Sequence, residues 1–270
     1  MAPTGTCALV PGALDCTAPL AGGQGKEGRE EMILDGKVAI VTGSGRGIGK
    51  AIALALADAG ADVVAVARTA SLIEATAAEV RAKGRKAMAV PTDVCNRAEV
   101  TRMVQAVVEQ FGKIDVLVNN VGGAKGAAAD ELEMTDEQWD YVFDLNAKSV
   151  FLCSQITARV MIPRRSGCII NISSGASLGP KVKFAHYAAA KAAVNHFSRS
   201  LAVAWGPHGI RVNVVAPSSV STPVSEAYRA KVLGNDRIKR IPLGRWGTPE
   251  DTAGAVVFLA SESASFINGA

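Results

Sequence analysis

Short apolar runs alternate along this chain with longer segments whose apolar residues recur at helical spacing. From Lys37 onward the apolar runs are KVAIVT, DVVAVA, KAMAVP, IDVLVNN, CIINIS and IRVNVVAP. Helical segments separate them, among them AIALALADAG, stretches around 71–83 and 98–111, and HYAAAKAAVNHF. Strands that are apolar throughout are typical of a parallel sheet covered by helices on both faces. Right-handed crossovers then predict a doubly wound α/β sheet in a single three-layer α/β/α domain.

The first 31 residues differ from this pattern. They are rich in Gly, Pro and Ala, show no periodicity, and lack the basic and apolar regions of a signal peptide. Such a composition favours a disordered extension over residues 1–31. We therefore expect the folded domain to span residues 32–270.

The amino-acid composition favours a globular enzyme over a nucleic-acid-binding or membrane-spanning protein. Hydrophobic residues make up 49% and charged residues 20%, as in globular enzymes, and the net charge is only +4. No block of like charge suggests nucleic-acid binding, and the apolar runs are too short to span a membrane. The five cysteines match neither a disulfide framework nor a metal site, so we expect a cytoplasmic protein without a bound metal.

A glycine-rich turn, VTGSGRGIGK, joins the first strand to the first helix. Gly43, Gly47 and Gly49 permit a tight turn, and the helix N-terminus behind them offers free N–H groups to a pyrophosphate. A P-loop is the alternative, but Ser44 stands where it needs glycine and Ala51 where it needs Ser or Thr. The turn therefore predicts a Rossmann-type dinucleotide site.

The end of the second strand bears on which dinucleotide binds. An NAD-specific site usually places Asp or Glu there, whereas this chain has Ala67 followed by Arg68. Asp62 lies at the opposite end of the strand, and Arg46 lies within the glycine turn. Because guanidinium groups pair with phosphate, we expect NADP(H) to be favoured over NAD(H).

Several motifs occur together and in order. TGSGRGIG is followed by Asp93–Val94, NNVGG at 119–123, Asn146 in DLNAKSVF, INISSGAS and YAAAK. In these motifs the chain resembles the short-chain dehydrogenase/reductase superfamily, in its single-domain form with a Tyr-x-x-x-Lys pair. The resemblance extends from residue 32 to residue 270 and implies an oxidoreductase.

The resemblance implies that four residues carry the chemistry: Ser174, Tyr187, Lys191 and Asn146. Lys191 lies one helical turn from Tyr187, so its ammonium is expected to lower the tyrosine pKa. Ser173 competes with Ser174, and the family's usual distance of 13 residues before the tyrosine selects Ser174. Its hydroxyl would polarise the substrate oxygen. Asn146 would hold a water that relays protons from Lys191.

The motifs also imply a set of cofactor-binding residues. It comprises Gly43, Ser44, Arg46, Gly47, Ile48, Gly49, Arg68, Asp93, Val94, Asn120, Gly122, Tyr187, Lys191, Pro217, Val220 and Thr222.

Two features depart from the family pattern. Ser218 replaces the glycine that usually follows Pro217, which predicts a cost in backbone freedom near the nicotinamide. FLASESASFINGA stops where relatives continue into a seventh strand, so either the chain is truncated or that strand is lost. The sixth strand is then expected to be an unprotected edge.

The sequence thus predicts an NADP(H)-dependent oxidoreductase that interconverts a ketone and a secondary alcohol, most similar to 3-oxoacyl-thioester reductases. A sugar-acid, polyol or steroid alcohol dehydrogenase remains an alternative, as does a dinucleotide sensor or remnant without catalysis. By analogy we expect a homotetramer or homodimer acting on a small-molecule substrate. The basic segment 229–240 and Arg164–Arg165 are weaker candidates for contacts with an acidic substrate or carrier.

Overall fold

The computed structural model describes residues 32–124, 129–223, 225, 238–239 and 241–270. Six parallel strands form one sheet in the order β3-β2-β1-β4-β5-β6. The strands are β1 Val38–Thr42, β2 Asp62–Ala67, β3 Ala87–Pro91, β4 Val116–Asn119, β5 Gly167–Ile172 and β6 Ile210–Val215. The doubly wound parallel sheet expected from the sequence is confirmed.

Helices cover both faces of the sheet. They are α1 Gly47–Asp58, α2 Ala70–Ala82, α3 Arg97–Phe111, α4 Asp136–Phe143, α5 Ser149–Arg164, α6 Ala185–Trp205 and α7 Pro249–Ala260. Strand alternation divides β1 between two cores. Val38 and Ile40 pack with α3, α5 and α6, whereas Ala39 and Val41 pack with α1, α2 and α7. Burial on both faces explains why the strand is apolar throughout.

The order of the strands creates a crevice. The chain moves outward from β1 to β2 and β3, and then returns to place β4 on the other side of β1. Ligands of open α/β sheets bind outside the carboxyl ends of the strands at such a switch point. The glycine turn after β1 and the NNVGG segment after β4 both lie at this position.

The helical run between β4 and β5 is interrupted. After α4, residues Asp144–Lys148 form a π-helical turn, and α5 follows directly. Asn146 lies in this turn and is fully buried. Single π turns inside helices often occur at functional sites because they redirect one side chain.

A buried chain of polar side chains connects two strands to two helices. The Asn119 amide on β4 donates to Asn171 Oδ1 on β5 at 2.8 Å and to Ser154 Oγ on α5 at 3.0 Å. Asn171 in turn donates to Ser198 Oγ on α6 at 2.8 Å. Buried amides need such partners, so these bonds specify how α5 and α6 lie on the sheet.

The outer edge of β6 is better protected than the sequence suggested. Gly269 N donates to Val212 O at 2.9 Å, and Val214 N donates to Ala270 O at 2.8 Å. The Asn213 side chain holds the same segment, since it donates to Ile267 O and accepts from Ala270 N. The expectation of an unprotected edge is therefore wrong along this stretch.

Two further observations concern the described part of the chain. None of its helices combines the length and the apolar character needed to cross a membrane. Its residues also include no group of three or more His, Cys, Asp or Glu side chains placed to hold a metal ion.

Candidate active site

The glycine turn packs tightly against the segment after β4. Gly43 has φ +67°, and a Cβ there would lie 2.9 Å from Asn120 Nδ2. A Cβ on Gly49 would collide with the carbonyl oxygen of Gly43 and with Asn120 Nδ2. Both positions therefore require glycine, which keeps the N-terminus of α1 close to the crevice.

Thr42 and Asn120 join the two sides of the crevice. Thr42 Oγ1 accepts from the backbone N of Asn120 at 2.9 Å and from that of Val121 at 3.2 Å. Asn120 Nδ2 donates to Thr42 O at 2.9 Å. Asn120 was expected at the cofactor site, whereas the sequence reasoning missed Thr42. Its position directly before the glycine turn was the available signal.

Three other residues of the glycine turn, Ser44, Ile48 and Gly47, contact three different parts of the fold. The Ser44 side chain is fully buried and accepts from Val66 N at 2.9 Å, so it joins the turn to β2. Ile48 packs against the core beneath α1. A Cβ on Gly47 would lie 3.6 Å from Thr222, which brings the predicted nicotinamide-binding segment up to the glycine turn.

Arg46 and Arg68 are exposed, and the side chain of neither makes a hydrogen bond or an ion pair with another described residue. Arg68 follows β2 directly, and Arg46 immediately precedes α1. No described carboxylate is paired with either guanidinium. Among the described residues, one unpaired guanidinium therefore follows β2 and another lies in the glycine turn.

Asp93 and Val94 follow β3, the next strand outward. Asp93 accepts from Cys95 N at 3.0 Å, and its own backbone N donates to Glu99. Val94 is 4% exposed and belongs to the core. The structure places this pair at the carboxyl edge of the sheet, as the motif predicts.

Helix α6 carries Tyr187 and Lys191 one turn apart, and β5 leads into Ser174. The Tyr187 and Ser174 side chains line the same cleft, and the Ser174 hydroxyl acts to lower the pKa of Tyr187. Ser174 Oγ also accepts from Ala176 N at 3.1 Å, which holds the 3₁₀ turn Gly175–Leu178 after the strand. The two hydroxyl groups selected from the sequence are thus brought together.

Lys191 is only 3% exposed, and its ammonium donates to Ile172 O at 2.8 Å. Burial lowers the pKa of Lys191 to about 8. The contact with the last residue of β5 could not be derived from the local sequence of α6.

Burial raises the pKa of Tyr187, and the Ser174 hydroxyl acts against this increase. The sequence led us to expect that Lys191 lowers the tyrosine pKa, and the structure differs. Burial disfavours the charged form of each group, and the Lys191 ammonium donates to a backbone carbonyl.

Asn146 approaches Lys191 across Gly122. A Cβ on Gly122 would lie 2.7 Å from Asn146 Oδ1 and 2.8 Å from Lys191 Nζ. Asn146 Oδ1 accepts from Gly123 N at 2.9 Å, and its amide nitrogen donates to Gly123 O at 3.0 Å and to Val142 O at 2.9 Å. The side chain is therefore held rigidly beside the lysine.

Ser173 has a different environment from Ser174. It is 5% exposed, and its hydroxyl donates to the backbone O of Lys191 at 3.2 Å. It therefore ties α6 to the end of β5. This contact agrees with the choice of Ser174 as the hydroxyl that faces substrate.

A cleft of about 1140 Å³ opens beside these residues. Ser174 and Tyr187 line it together with the loop after β6, including Pro217 and Val220. Val220 is anchored by a parallel bridge to Gly247, and Thr222 by hydrogen bonds to Ser225. The loop is thus held to the region preceding α7.

Ser218 does not impose the backbone cost that we expected. Among the described non-glycine residues, positive φ occurs at Arg165 and Lys183 only. Gly175 N donates to Pro217 O at 2.8 Å, and a Cβ on Gly175 would lie 3.3 Å from Ser218 Oγ. Ser218 therefore packs against the turn after β5 in ordinary backbone geometry.

The structure also bears on the basic residues that were weaker candidates for contacts with an acidic substrate or carrier. Arg164 donates to Ile114 O and to Asp115, and Arg165 donates to Pro207 O, so both have partners within the fold. Apart from Ile238 and Lys239, the basic segment 229–240 lies outside the described residues.

The residues at the crevice fit a dinucleotide. The glycine turn leaves the backbone open before a helix N-terminus, and the guanidiniums of Arg46 in the turn and Arg68 after β2 have no described partner. The same crevice holds the Ser174 and Tyr187 hydroxyl groups and the buried Lys191. Together they define a nicotinamide-dinucleotide-dependent oxidoreductase.

Comparison with known proteins agrees with this class. The chain belongs to the short-chain dehydrogenase/reductase superfamily, as its motifs predicted. Residues 43–270 match the family model described as enoyl-(acyl carrier protein) reductase. The chain is accordingly an NAD(P)-binding oxidoreductase that acts on CH–OH groups.

Two relatives have the same level of identity. A 2-dehydro-3-deoxy-D-gluconate 5-dehydrogenase of Dickeya dadantii is 40% identical over 240 residues, covering 87% of this chain and 92% of the relative. A 3-oxoacyl-[acyl-carrier-protein] reductase of Synechocystis sp. is 40% identical over 238 residues, covering 87% and 94%.

Solved structures share the fold. A 7 alpha-hydroxysteroid dehydrogenase complexed with NADH and 7-oxo glycochenodeoxycholic acid superposes with a TM-score of 0.82 at 33% identity. The match covers 88% of this chain and 92% of that structure.

Proposed function

We propose that this enzyme reduces a ketone to a secondary alcohol with NADPH, most like a 3-oxoacyl-thioester reductase. Ser174, Tyr187, Lys191 and Asn146 carry the chemistry. The observation that supports this best is that Ser174 and Tyr187 line the same large cleft, with the buried Lys191 one helical turn from Tyr187.

Tyr187 acts as the general acid. Its pKa is raised by burial, so the phenol is fully protonated at neutral pH and holds a proton for the developing alkoxide. Ser174 donates to the same substrate oxygen and polarises the carbonyl. These roles suit reduction of the ketone, because Tyr187 is in the protonated form that a general acid needs.

Lys191 restores the proton of Tyr187. With a pKa of about 8 it is mostly charged at neutral pH but loses its proton at little cost. Both amide hydrogens of Asn146 are engaged, whereas Oδ1 accepts one bond and retains a second acceptor site. That free site would hold the water through which Lys191 exchanges protons with solvent.

NADP(H), when bound, supplies the hydride. The glycine turn would receive the pyrophosphate at the N-terminus of α1, and Arg46 and Arg68 would pair with the 2′-phosphate. Asp93, Val94 and Asn120 would border the adenine side, and Gly122, Pro217, Val220 and Thr222 the nicotinamide side. The preference for NADP(H) is supported by two unpaired guanidiniums without a carboxylate at the end of β2.

A sugar-acid, polyol or steroid alcohol dehydrogenase is the second candidate. It is favoured by the relative named 2-dehydro-3-deoxy-D-gluconate 5-dehydrogenase, which is as similar as the oxoacyl reductase. The catalytic residues would be the same, so only the substrate distinguishes the two candidates.

We also propose that the enzyme is a cytoplasmic homo-oligomer, a tetramer or a dimer. Trp139, Tyr141 and Phe151 on α4 and α5 are 43%, 40% and 36% exposed. Large aromatic side chains at a surface are typical of contacts between subunits. Light scattering would distinguish a tetramer, a dimer and a monomer.

The function is tested by following the reduced-nicotinamide absorbance with NADPH and with NADH. The substrates are an acetoacetyl thioester, a 5-keto sugar acid and a steroid ketone, with Tyr187→Phe as the control. Faster turnover with NADPH, lost in the variant, is the expected result. No turnover of any ketone, with NADPH still raising the melting temperature, would leave a non-catalytic dinucleotide-binding protein and overturn the proposal.

A further inference from the structure

The charges that line the cleft do not cancel. Among the described residues, three charged side chains contribute to its lining: Lys181, Arg245 and Asp251. Arg245 donates to Asp251 through two nitrogens, Nη1 at 2.6 Å and Nη2 at 2.9 Å. This bidentate pair is electrically neutral, so Lys181 supplies the net charge of the described lining.

Lys181 has a fixed backbone and an uncommitted side chain. Phe184 N donates to Lys181 O at 3.2 Å, which closes a turn just before α6. The side chain is exposed and makes no hydrogen bond or ion pair with any described residue. The ammonium is thus available to a ligand, and its anchor point lies six residues before Tyr187.

Exposed apolar side chains line the same cleft. Val182 is 77% exposed and Leu243 is 81% exposed, and both line the cleft. Exposed apolar side chains beside one unpaired charge suit a ligand with an apolar portion and an anionic group.

We propose that Lys181 binds an anionic group of the substrate and selects ketones that carry one. The carbonyl lies at Ser174 and Tyr187, and a phosphate or a carboxylate on the same molecule pairs with the Lys181 ammonium. This assignment rests on the proposed ketone reduction and adds a specificity residue to it. Lys181 is not a catalytic residue, because it does not touch the reacting atoms.

The test compares two pairs of substrates, each with one anionic and one neutral member. Acetoacetyl-coenzyme A and the acetoacetyl thioester of N-acetylcysteamine share the acyl group, but only the first carries phosphates. A 5-keto sugar acid and its methyl ester form the carboxylate pair. Selectivity within the first pair that Lys181→Gln removes indicates phosphate binding, and selectivity within the second pair that the variant removes indicates carboxylate binding.

Lys181→Gln is the variant, and Lys183→Gln is the matched control, because Lys183 lies two residues away and outside the cleft lining. We expect Lys181→Gln to raise KM for the anionic substrate about three- to tenfold, with kcat unchanged. The neutral substrate should be unaffected, and the salt dependence of kcat/KM should become weaker. Lys181→Arg should retain most of the selectivity.

Equal kcat/KM for charged and neutral substrates in the native enzyme would overturn the role of Lys181 and leave the proposed reduction intact. Equal losses in Lys181→Gln and Lys183→Gln would overturn it as well. Absence of turnover with all four substrates, together with the steroid ketone, would instead reject the proposed function and the inference that rests on it.

Discussion

The side chains of Asn146 and Lys191 converge on Gly122 from two different elements. Asn146 comes from the π-helical turn and Lys191 from α6, and a Cβ on Gly122 would lie within 2.8 Å of both polar atoms. The loop after β4, which contains Gly122, thus fixes the distance between Asn146 Oδ1 and Lys191 Nζ. This position excludes any side chain, even a methyl group.

Gly122→Ala should therefore damage catalysis more than folding. The added methyl group displaces Lys191 Nζ or Asn146 Oδ1, and we expect kcat to fall at least about tenfold, because small misplacements of reacting groups are costly. Steady-state kinetics with NADPH measures this. Gly254→Ala in α7 is the control, since nothing lies within 4 Å of its added Cβ. Equal kcat in the two variants would contradict the prediction.

Tyr187→Phe should abolish the chemical step while leaving the fold intact. The ring remains, but the proton donor is lost, so we expect kcat to fall about 10²- to 10⁴-fold. Stopped-flow kinetics would measure the loss. The increase in melting temperature on adding NADPH should persist. A variant with more than about one tenth of native kcat would show that another group supplies the proton.

The two neighbouring serines should respond differently to removal of the hydroxyl. Ser174→Ala should lower kcat with little effect on stability, because its hydroxyl faces the cleft and Tyr187. Ser173→Ala removes a buried bond to the Lys191 backbone and should cost about 1 kcal/mol of unfolding free energy. Denaturant melts and kinetics on both variants test this. The reverse assignment of effects would identify Ser173 as the catalytic serine.

The cofactor preference should depend on Arg46 and Arg68. Neutralising both, as Arg46→Ala with Arg68→Ala, should raise KM for NADPH about tenfold or more and leave KM for NADH almost unchanged, since charge-assisted bonds to phosphate are lost. Arg199→Ala is the control, because Arg199 is exposed on α6. A similar increase in both KM values would indicate a general role in binding rather than recognition of the 2′-phosphate.

The buried Lys191 should make stability depend on pH. Its pKa falls from 10.5 in an unfolded chain to about 8, so between these values the unfolded state binds the additional proton. Stability should therefore rise from pH 8 towards pH 10, and the full penalty of about 3 kcal/mol applies below pH 8.

Lys191→Met removes this penalty, so the variant should exceed the native protein in stability at pH 7 by more than it does at pH 10. Urea melts at both pH values measure the difference. The variant remains a fair comparison because its side chain fills much of the same buried volume. Parallel stability curves for the two proteins would show that Lys191 is not buried in its charged form.

The strands and the glycine turn could be predicted because their signals are local. β2 occupies Asp62–Ala67, the same residues as the apolar run DVVAVA. The helix predicted around 71–83 begins one residue earlier, at Ala70. A buried parallel strand needs apolar residues on both faces, so its sequence alone marks it.

Properties that depend on distant residues could not be predicted. The pKa of Tyr187 depends on the burial of the whole α6 face, and the expected decrease did not account for it. The π-helical turn at Asp144–Lys148 has no amino-acid composition that distinguishes it from an ordinary helix. Lys181 belongs to no recognisable sequence motif. The cost assigned to Ser218 was wrong because the path of the loop beside Gly175 is a tertiary property.

The hydrogen-bonded polar side chains Asn119, Asn171 and Ser198 determine how the enzyme loses activity when its core is damaged. Sliding α6 by one turn would leave the Asn171 amide without its partner in an apolar interior, at a cost of a few kcal/mol. The helix that carries Tyr187 and Lys191 therefore has one permitted register on the sheet. A mildly destabilising core substitution should therefore lower the fraction of folded, active molecules. The turnover rate of each folded molecule should stay at the native value.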